Sequence, residues 1–210
     1  MYRRLVFIAL ALTLIVVVLG AYVRLSDAGL GCPDWPGCYG QLTPAHAADE
    51  IAAAVAESPE GPVSMHKAWK EMVHRYLAAS LGFIILVIAG LAWRRRADPS
   101  VRATIAVSLV AVVIFQGLLG KWTVTLLLKP AIVTGHLIGG LTTLSLLALL
   151  ALRAAQVSRP TVSASLVRWA GIGLLVVIVQ IILGGWTSTN YAALACTDFP
   201  TCHGSWWPDM

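Results

Sequence analysis

Long apolar stretches alternate with short polar segments along the whole chain. The five longest cover residues 5–23, 72–93, 103–122, 131–152 and 167–186. A helix needs about 20 apolar residues to cross the hydrocarbon core of a bilayer, and each stretch approaches or exceeds that length. The first stretch follows Arg3 and Arg4, as a signal peptide would, but it is long for one and lacks a clear small-x-small cleavage site. The pattern therefore predicts an all-α integral membrane protein with five retained spans.

Residues 20–44 and 184–208 repeat each other without a gap, at a constant offset of 164. The repeat pairs Gly20, Ala28, Leu30, Cys32, Asp34, Pro36, Cys38, Gly40 and Pro44 with Gly184, Ala192, Leu194, Cys196, Asp198, Pro200, Cys202, Gly204 and Pro208. Such a match indicates an internal duplication. We predict a four-helix transmembrane bundle in residues 1–164. Residues 165–210 would form the first helix and outer loop of a second, incomplete, pseudo-symmetric repeat.

Arginine is concentrated in the segments on one side of the predicted spans. These positions are Arg3, Arg4, Arg94, Arg95, Arg96, Arg102, Arg153, Arg159 and Arg168. The opposite segments mix acidic and basic residues. Arginine and lysine in short loops mark the cytoplasmic side of a membrane protein. We therefore predict a multi-pass protein of the inner (cytoplasmic) membrane, with a cytoplasmic N-terminus and cysteine-bearing loops in the periplasm.

Composition mainly excludes other classes of protein. The chain is 58% hydrophobic and 12% charged, with a mean hydropathy of +0.79. These values lie outside the range of soluble proteins. The net charge of +5 follows from the arginine bias of the loops, so it does not indicate binding to nucleic acid.

All four cysteines lie outside the apolar stretches, in two pairs with five residues between the partners. The pairs are Cys32 with Cys38 and Cys196 with Cys202. An oxidising outer compartment favours a disulfide within each loop. A zinc site is the alternative, but the spacing and the Pro- and Gly-rich interior suit a short stapled turn better. A short disulfide in an outer loop could also be redox-active.

Two histidines lie near the outer ends of two spans that run in the same direction. His74 is in the first turn of the second predicted span, and His136 is one to two turns into the fourth. Glycine and alanine surround both, which lets helices approach closely or leaves room for a flat cofactor. Two imidazoles at matched depth on alternate helices can ligate a haem iron from both sides. Hydrogen-bonded histidines at the membrane interface are the alternative.

Glu71 precedes His74 by three residues, so the two side chains share one helical face. A carboxylate at the edge of the hydrocarbon is costly unless it has a partner or a task. On spacing alone, an ion pair with Arg75 or Lys67 is the favoured explanation.

Other polar residues fit structural roles. Gln116 and Gln180 occupy equivalent places in the third and fifth spans, where they suit hydrogen bonds between helices. His46, His66 and His203 fall in predicted loops, where we expect them to be solvated.

Four features together resemble the haem A synthase family, whose members are membrane enzymes that oxidise haem O to haem A for terminal oxidases. They are the run Gly-x-x-x-Arg-Leu-Ser-Asp-Ala-Gly-Leu-Gly-Cys-Pro-Asp-Trp-Pro-Gly-Cys from Gly20 to Cys38, the motif Glu71-x-x-His74-Arg75, the triplet Thr134-Gly135-His136, and the repeat marked by Gln180, Cys196 and Cys202. They extend over almost the whole chain. Any one of them is weak, but the combination is specific.

The resemblance implies eight helices in two pseudo-symmetric halves. It implies that His74 and His136 ligate the iron of the substrate haem, that Glu71 is a catalytic carboxylate, and that Cys32 and Cys38 form the cysteine pair of that half. The reaction converts a ring methyl of haem O to a formyl group. It requires an external electron donor. Haem O synthase or oxidase assembly factors are implied as partners, and an oligomer is compatible with the pattern.

The chain departs from the family pattern in its second half. There the family carries another histidine pair, thought to hold haem b, and the offset places its counterparts at about positions 238 and 300, outside these 210 residues. We expect a truncated sequence rather than a partner that completes the second bundle, and activity of the 210 residues alone is not assured. Two alternatives to the enzyme stay open: a di-histidine membrane cytochrome that transfers electrons from quinol, and a haem-handling assembly subunit without turnover.

Overall fold

The computed structural model describes residues 1–98, 101–157 and 161–206, and folds them into six helices. They are α1 (Tyr2–Leu25), α2 (Ala48–Glu57), α3 (Met65–Arg94), α4 (Ala103–Thr125), α5 (Pro130–Ala154) and α6 (Ala164–Thr189). All of these except α2 are long and apolar enough to cross a membrane. The predicted all-α membrane fold with five spans is therefore confirmed.

Four of the helices close into a bundle. α1 packs against α3 and α5, and α4 packs against the same two helices, so the order around the bundle is α1, α3, α4, α5. α6 packs on the outside, against α5. Most of α6 is exposed and apolar, as expected for a helix surrounded by lipid. Gln180 lies on this exposed surface, so the predicted hydrogen bond to another helix is not formed in the described structure.

The larger of two clusters of buried apolar side chains lies at the end of the bundle away from the cysteine loops. This cluster draws on all four helices and includes Val6, Ala9, Ile85, Ile88, Leu109, Leu147 and Leu150. Inside a bilayer, close contact between side chains is the main source of helix association, because lipid tails are as apolar as the side chains. The cluster therefore fixes the helices relative to one another, while the predicted ligands lie toward the opposite end, called here the loop end.

The third helix begins earlier than predicted. It starts at Met65 instead of residue 72, because the Ser64 hydroxyl caps it and accepts a hydrogen bond from the Lys67 backbone N–H at 3.3 Å. Hydropathy marks only the part of a helix that lies in lipid, and this helix continues beyond it. His74 is consequently in the third turn and not the first. His66 lies in the helix and not in a loop, although it is exposed.

The segment between α1 and α3 covers the loop end of the bundle. Residues 26–47, called here the cap loop, lead into α2, a short helix that hydropathy did not predict. A buried cluster joins this segment to α3 and consists of Cys32, Cys38, Ala47, Ile51, Ala68 and Met72. Gly31 lies so close to α3 that a Cβ there would be 2.6 Å from the carbonyl carbon of Lys67. Only glycine allows this approach.

Candidate functional site

His74 and His136 lie at the same depth near the loop end of the bundle. His74 on α3 faces Gly20 of α1, and His136 on α5 faces Gly120 of α4. Each glycine comes five residues before the last residue of its helix, or about 7.5 Å at 1.5 Å per residue. The two imidazoles are also close enough for the charge of one to affect the other. The structure thus brings together the two residues that the sequence singled out.

The surroundings of the two rings are alike. The His74 ring lies against the backbone of Val16 as well as Gly20, and the His136 ring lies against the backbone of Gln116 as well as Gly120. In both cases the two contacts are four residues apart, which is about one helical turn. The Nδ1 atom of each ring is buried and has no hydrogen-bond partner in the described structure. Buried polar atoms are normally paired, so two unpaired imidazole nitrogens at one depth suggest a ligand.

This pair of donors fits a haem iron. Imidazole is the commonest axial ligand of haem, and two rings at one depth can supply both axial positions. In the described parts of the chain, no group of three or more His, Cys, Asp or Glu side chains could hold a metal ion. In a haem the macrocycle supplies the remaining ligands of the iron.

Gln116 supports His136 from the neighbouring helix. Its Nε2 donates to the backbone carbonyl of His136 at 2.9 Å, which confirms the predicted hydrogen bond between helices. The amide lies against Gly139, where a Cβ would collide with Oε1. That Oε1 is buried and has no partner in the described structure. The Gln116 side chain on α4 therefore binds the backbone of His136, while Gly120 on the same helix faces the His136 ring.

Glu71 is buried, with both carboxylate oxygens engaged. Oε1 accepts a hydrogen bond from Nη2 of Arg75 at 2.5 Å, and Oε2 accepts one from the backbone N–H of Cys32 at 3.0 Å. The exposed fractions of the Glu71 and Arg75 side chains are 6% and 12%. The partner is Arg75, one of the two that spacing allowed. Lys67, the other, pairs with Asp27 at 3.8 Å.

Arg75 extends this ion pair into the cap loop. Its Nη1 donates to the backbone carbonyls of Asp34 at 2.9 Å, Pro36 at 3.3 Å and Gly37 at 2.6 Å. The guanidinium therefore donates to carbonyls of the disulfide-bonded turn through Nη1 and binds Glu71 through Nη2. Together Glu71 and Arg75 form a clamp, named here the Glu71–Arg75 clamp, between α3 and the cap loop. It lies one turn or less from His74 along α3.

The cysteines pair within their own loops, as predicted. Cys32 is bonded to Cys38 and Cys196 to Cys202, with Cα–Cα separations of 4.9 Å and 4.7 Å. No free cysteine is found among the described residues. The disulfide prediction is therefore confirmed over the zinc alternative.

Each disulfide turn is folded around an aspartate, and the second turn repeats the first at the offset of 164. Asp34 accepts from the backbone N–H groups of residues 39 and 40, and Asp198 accepts from those of residues 203 and 204. These four residues all have a positive φ. The Thr201 hydroxyl and the backbone N–H groups of residues 204 and 203 donate to Asp198, and so hold the pKa of its carboxyl below the ordinary value.

Two contacts join residues that are themselves 164 positions apart. Nη2 of Arg24 donates to the backbone carbonyl of Ser188 at 2.7 Å, and the Tyr191 hydroxyl donates to Oδ1 of Asp27 at 3.1 Å. The Arg24 guanidinium also lies over the Tyr191 ring, 4.1 Å from its centre. Each residue thus meets its own repeat counterpart, as happens where two related halves meet on an axis.

Comparison with known proteins identifies the family. The COX15-CtaA family model, described as cytochrome oxidase assembly protein, matches residues 3–210. The chain belongs to the COX15-CtaA family. This membership agrees with the resemblance inferred from the motifs.

Several individual proteins similar to this chain are named haem A synthase. That of Shewanella oneidensis is 46% identical over 206 residues, covering 97% of this chain and 62% of the relative. Those of Shouchella clausii and Halalkalibacterium halodurans are 30% and 29% identical, covering 94% and 92% of this chain and 62% and 61% of their own lengths. The chain therefore spans about three-fifths of the length of these relatives. No solved structure gives a significant match.

The structure adds residues whose roles the sequence did not reveal. Gly20 and Gly120 contact the two imidazoles, and Arg75 binds the cap loop as well as Glu71. Gly20 and Arg75 stand in a repeat and a motif already noted, whereas Gly120 does not. A glycine near a helix end has many uses, however, and only the packing of neighbouring helices shows which side chain it faces. His46, His66 and His203 are exposed, as predicted.

Proposed function

We propose that this chain is part of a haem A synthase, in which a ring methyl of haem O is oxidised to a formyl group. The observation that carries the proposal is the pair of buried imidazoles at one depth, His74 and His136, each with an unpaired Nδ1. Relatives that are named haem A synthase support the same reaction. His74 and His136 are proposed as the axial ligands of the substrate haem.

The part of the protein in this reaction is to bind the ring, orient it and control charge at its edge. Glu71 is proposed as the catalytic carboxylate, which relays protons or stabilises positive charge on the carbon being oxidised. The Glu71–Arg75 clamp supports this role in one respect, because it fixes the carboxylate on the same helix face as His74. Electrons would come from an external donor.

The proposal extends to the domain division and the surroundings of the protein. Residues 1–164 would form the first repeat and residues 165–210 the start of the second, which the repeated disulfide turns support. The arginine distribution supports an inner-membrane protein with its N-terminus in the cytoplasm and both cysteine loops in the periplasm. A haem b would bind in the part of the relatives' length that this chain does not match. Haem O synthase or oxidase assembly factors would be the partners.

The ligand assignment is tested by replacing His74 and His136 with alanine, one at a time, in the complete gene. Haem is then extracted from the membranes and identified. We expect each variant to accumulate haem O and to lose haem A, with an altered spectrum of the bound haem. His66→Ala is the matched control, because His66 is on the same helix as His74 but exposed. Normal haem A and an unchanged spectrum in both ligand variants would refute the proposal.

The same extraction separates an enzyme from a di-histidine cytochrome. A cytochrome would yield only haem b, whatever the variant, whereas an enzyme yields haem A or a partly oxidised intermediate. Glu71→Gln then isolates the carboxylate, because it keeps the shape of the side chain and removes the charge. We expect this variant to retain bound haem while haem O accumulates. Haem A at the normal rate would leave Glu71 as a structural residue of the clamp only.

The topology is tested with thiol chemistry. Non-reducing peptide mapping should recover the two bridges within their own loops, and after reduction a membrane-impermeant thiol reagent should label the cysteines from the periplasmic side. Labelling from the cytoplasmic side alone would reverse the proposed orientation.

A further inference from the structure

Two glycines face the two proposed haem ligands, and we propose that they are positioning residues. Gly20 and Gly120 would set the rotation of the imidazoles of His74 and His136 about their bonds to the iron. This inference rests on the proposed function, because it takes the two histidines as axial ligands. It adds residues on α1 and α4 that control how those ligands are presented.

A side chain at Gly20 would press on the ring of His74. A Cβ there would lie 3.0 Å from Cε1 of His74, and 3.6 Å from both ring nitrogens. Non-bonded carbon atoms prefer separations of about 3.5–4.0 Å. A methyl group at this position would therefore displace the ring by a few tenths of an ångström, or turn it. At Gly120 the corresponding distance to Cε1 of His136 is 3.4 Å, so the ring would need to yield less.

The two glycines differ from other glycines on the same bundle. A Cβ at Gly90 on α3 or at Gly117 on α4 would have nothing within 4 Å. Gly117 precedes Gly120 by less than one turn of the same helix. A side chain would therefore press on the imidazole at Gly20, touch it at an ordinary contact distance at Gly120, and meet nothing at Gly90 or Gly117.

The absence of a hydrogen-bond partner at Nδ1 explains why such contacts would matter. A ligand histidine usually donates its other ring N–H to a carboxylate, a carbonyl or water, and that bond fixes the ring orientation. Here Nδ1 of both His74 and His136 is buried and unpaired in the described structure. The neighbouring backbone then restrains ring rotation: Val16 and Gln116 lie within hydrogen-bonding range of the two rings, and Gly20 and Gly120 face the rings four residues later.

The arrangement occurs twice, which argues against an accident of packing. α1 presents Val16 and Gly20 to the ring on α3, and α4 presents Gln116 and Gly120 to the ring on α5. In each case a helix places one backbone contact and, four residues later, a glycine against the imidazole. Two different pairs of helices thus make the same kind of contact with a histidine ring at the same depth.

The test is a set of three glycine variants of the complete protein, purified with bound haem. Gly20→Ala and Gly120→Ala are compared with the matched control Gly117→Ala. Electron paramagnetic resonance is the main readout, because the g-values of low-spin haem depend on the relative orientation of its axial imidazoles. The second readout is the haem retained per protein after washing in detergent.

We expect Gly20→Ala to shift the g-values and to lower haem affinity about ten-fold. That is the lower end of the loss seen when a residue that supports a metal-binding histidine is changed. Gly120→Ala should shift them less, because its contact is 3.4 Å rather than 3.0 Å. Gly117→Ala should match the unmodified protein. Alanine favours a helix more than glycine does, so loss of helix stability is not the expected cause. If Gly20→Ala fails to accumulate in the membrane, Gly120→Ala carries the test.

The histidine variants separate failure of this inference from failure of the proposed function. If His74→Ala and His136→Ala leave the spectrum unchanged, the ligand assignment is wrong and the inference falls with it. If they change the spectrum while both glycine variants behave like Gly117→Ala, only the positioning role is overturned. A further check is Gly20→Ala combined with His74→Ala, which should bind haem no more weakly than His74→Ala alone. An added loss would show that Gly20 does not act through His74.

Discussion

Removal of the Glu71 carboxylate should loosen the cap loop from the bundle. Glu71→Ala deletes two contacts at once, the ion pair with Arg75 and the hydrogen bond from the Cys32 backbone N–H. It also leaves the Arg75 guanidinium without a counter-charge in a place where only 12% of its side chain is exposed. The cap loop would then be held mainly by the carbonyl contacts of Arg75 and by the buried cluster around Cys32.

The size of the effect follows from burial. An exposed ion pair contributes about 0–1 kcal/mol, but loss of one partner of a buried pair costs about 3–5 kcal/mol. Because Glu71 is 6% exposed and Arg75 remains bound to three carbonyls, we take the lower end, about 3 kcal/mol. At 1.4 kcal/mol for each factor of ten, opening of the cap loop should become about 100-fold more frequent. Glu71→Gln keeps one hydrogen bond and should show a smaller effect, about ten-fold.

Hydrogen exchange measured by mass spectrometry in detergent or nanodiscs reports this opening directly. Peptides that cover the cap loop should exchange faster in Glu71→Ala, whereas peptides from the disulfide turn of Cys196 and Cys202 serve as an internal control. Glu57→Ala is the matched control variant, because Glu57 is an exposed carboxylate at the end of the neighbouring helix α2. Equal exchange of the cap loop in Glu71→Ala and Glu57→Ala would refute the reasoning.

Three further substitutions give sharp expectations. Gly31→Ala should undock the cap loop, because its Cβ would lie 2.6 Å from the carbonyl carbon of Lys67, and the loss should appear as faster reduction of the first disulfide. Gly139→Ala should lower the free energy of unfolding by about 1–3 kcal/mol, because the new methyl group collides with the buried amide of Gln116. An unchanged melting temperature in detergent would contradict this. Thr201→Val should raise the pKa of Asp198 by removing the first of the hydrogen bonds that lower it. The ionised Asp198 carboxylate stabilises the turn, and this stabilisation is lost as the pH falls through the carboxyl pKa of the folded state. Because that pKa is higher in the variant, its turn should open at a higher pH, which an NMR titration would show.

The sequence predicted the spans and the histidine pair but not the register between helices. Hydropathy located the apolar part of every spanning helix, because the bilayer imposes that pattern directly. It placed the start of α3 too late, since Lys67, Lys70 and Glu71 are polar although the helix continues through them from its Ser64 cap. The helix α2 was missed because ten residues are too few to cross a membrane and so carry no membrane signal.

The contacts that build the site lay outside sequence reasoning for a different reason. Spacing placed Arg75 and Lys67 equally well beside Glu71, and only the docked cap loop explains why Arg75 is chosen: three carbonyls of the loop also need a donor. Spacing likewise placed the two histidines at one depth. It could not show that Gly20 and Gly120 face them, because the rotation of each helix about its own axis depends on long-range packing.

The contacts between residues 164 apart carry a consequence for how such a chain can arise. A duplicated gene begins with two identical copies. In the protein it encodes, a residue on the axis that relates the two halves first faces an identical residue. Two arginines about 4 Å apart would repel by about 1 kcal/mol in water and about 4 kcal/mol near a protein surface. Arg24 instead meets the carbonyl of Ser188, and Asp27 meets the hydroxyl of Tyr191. An identical charged residue in both copies is therefore disfavoured at these positions, and Ser188→Arg would create such a repulsion.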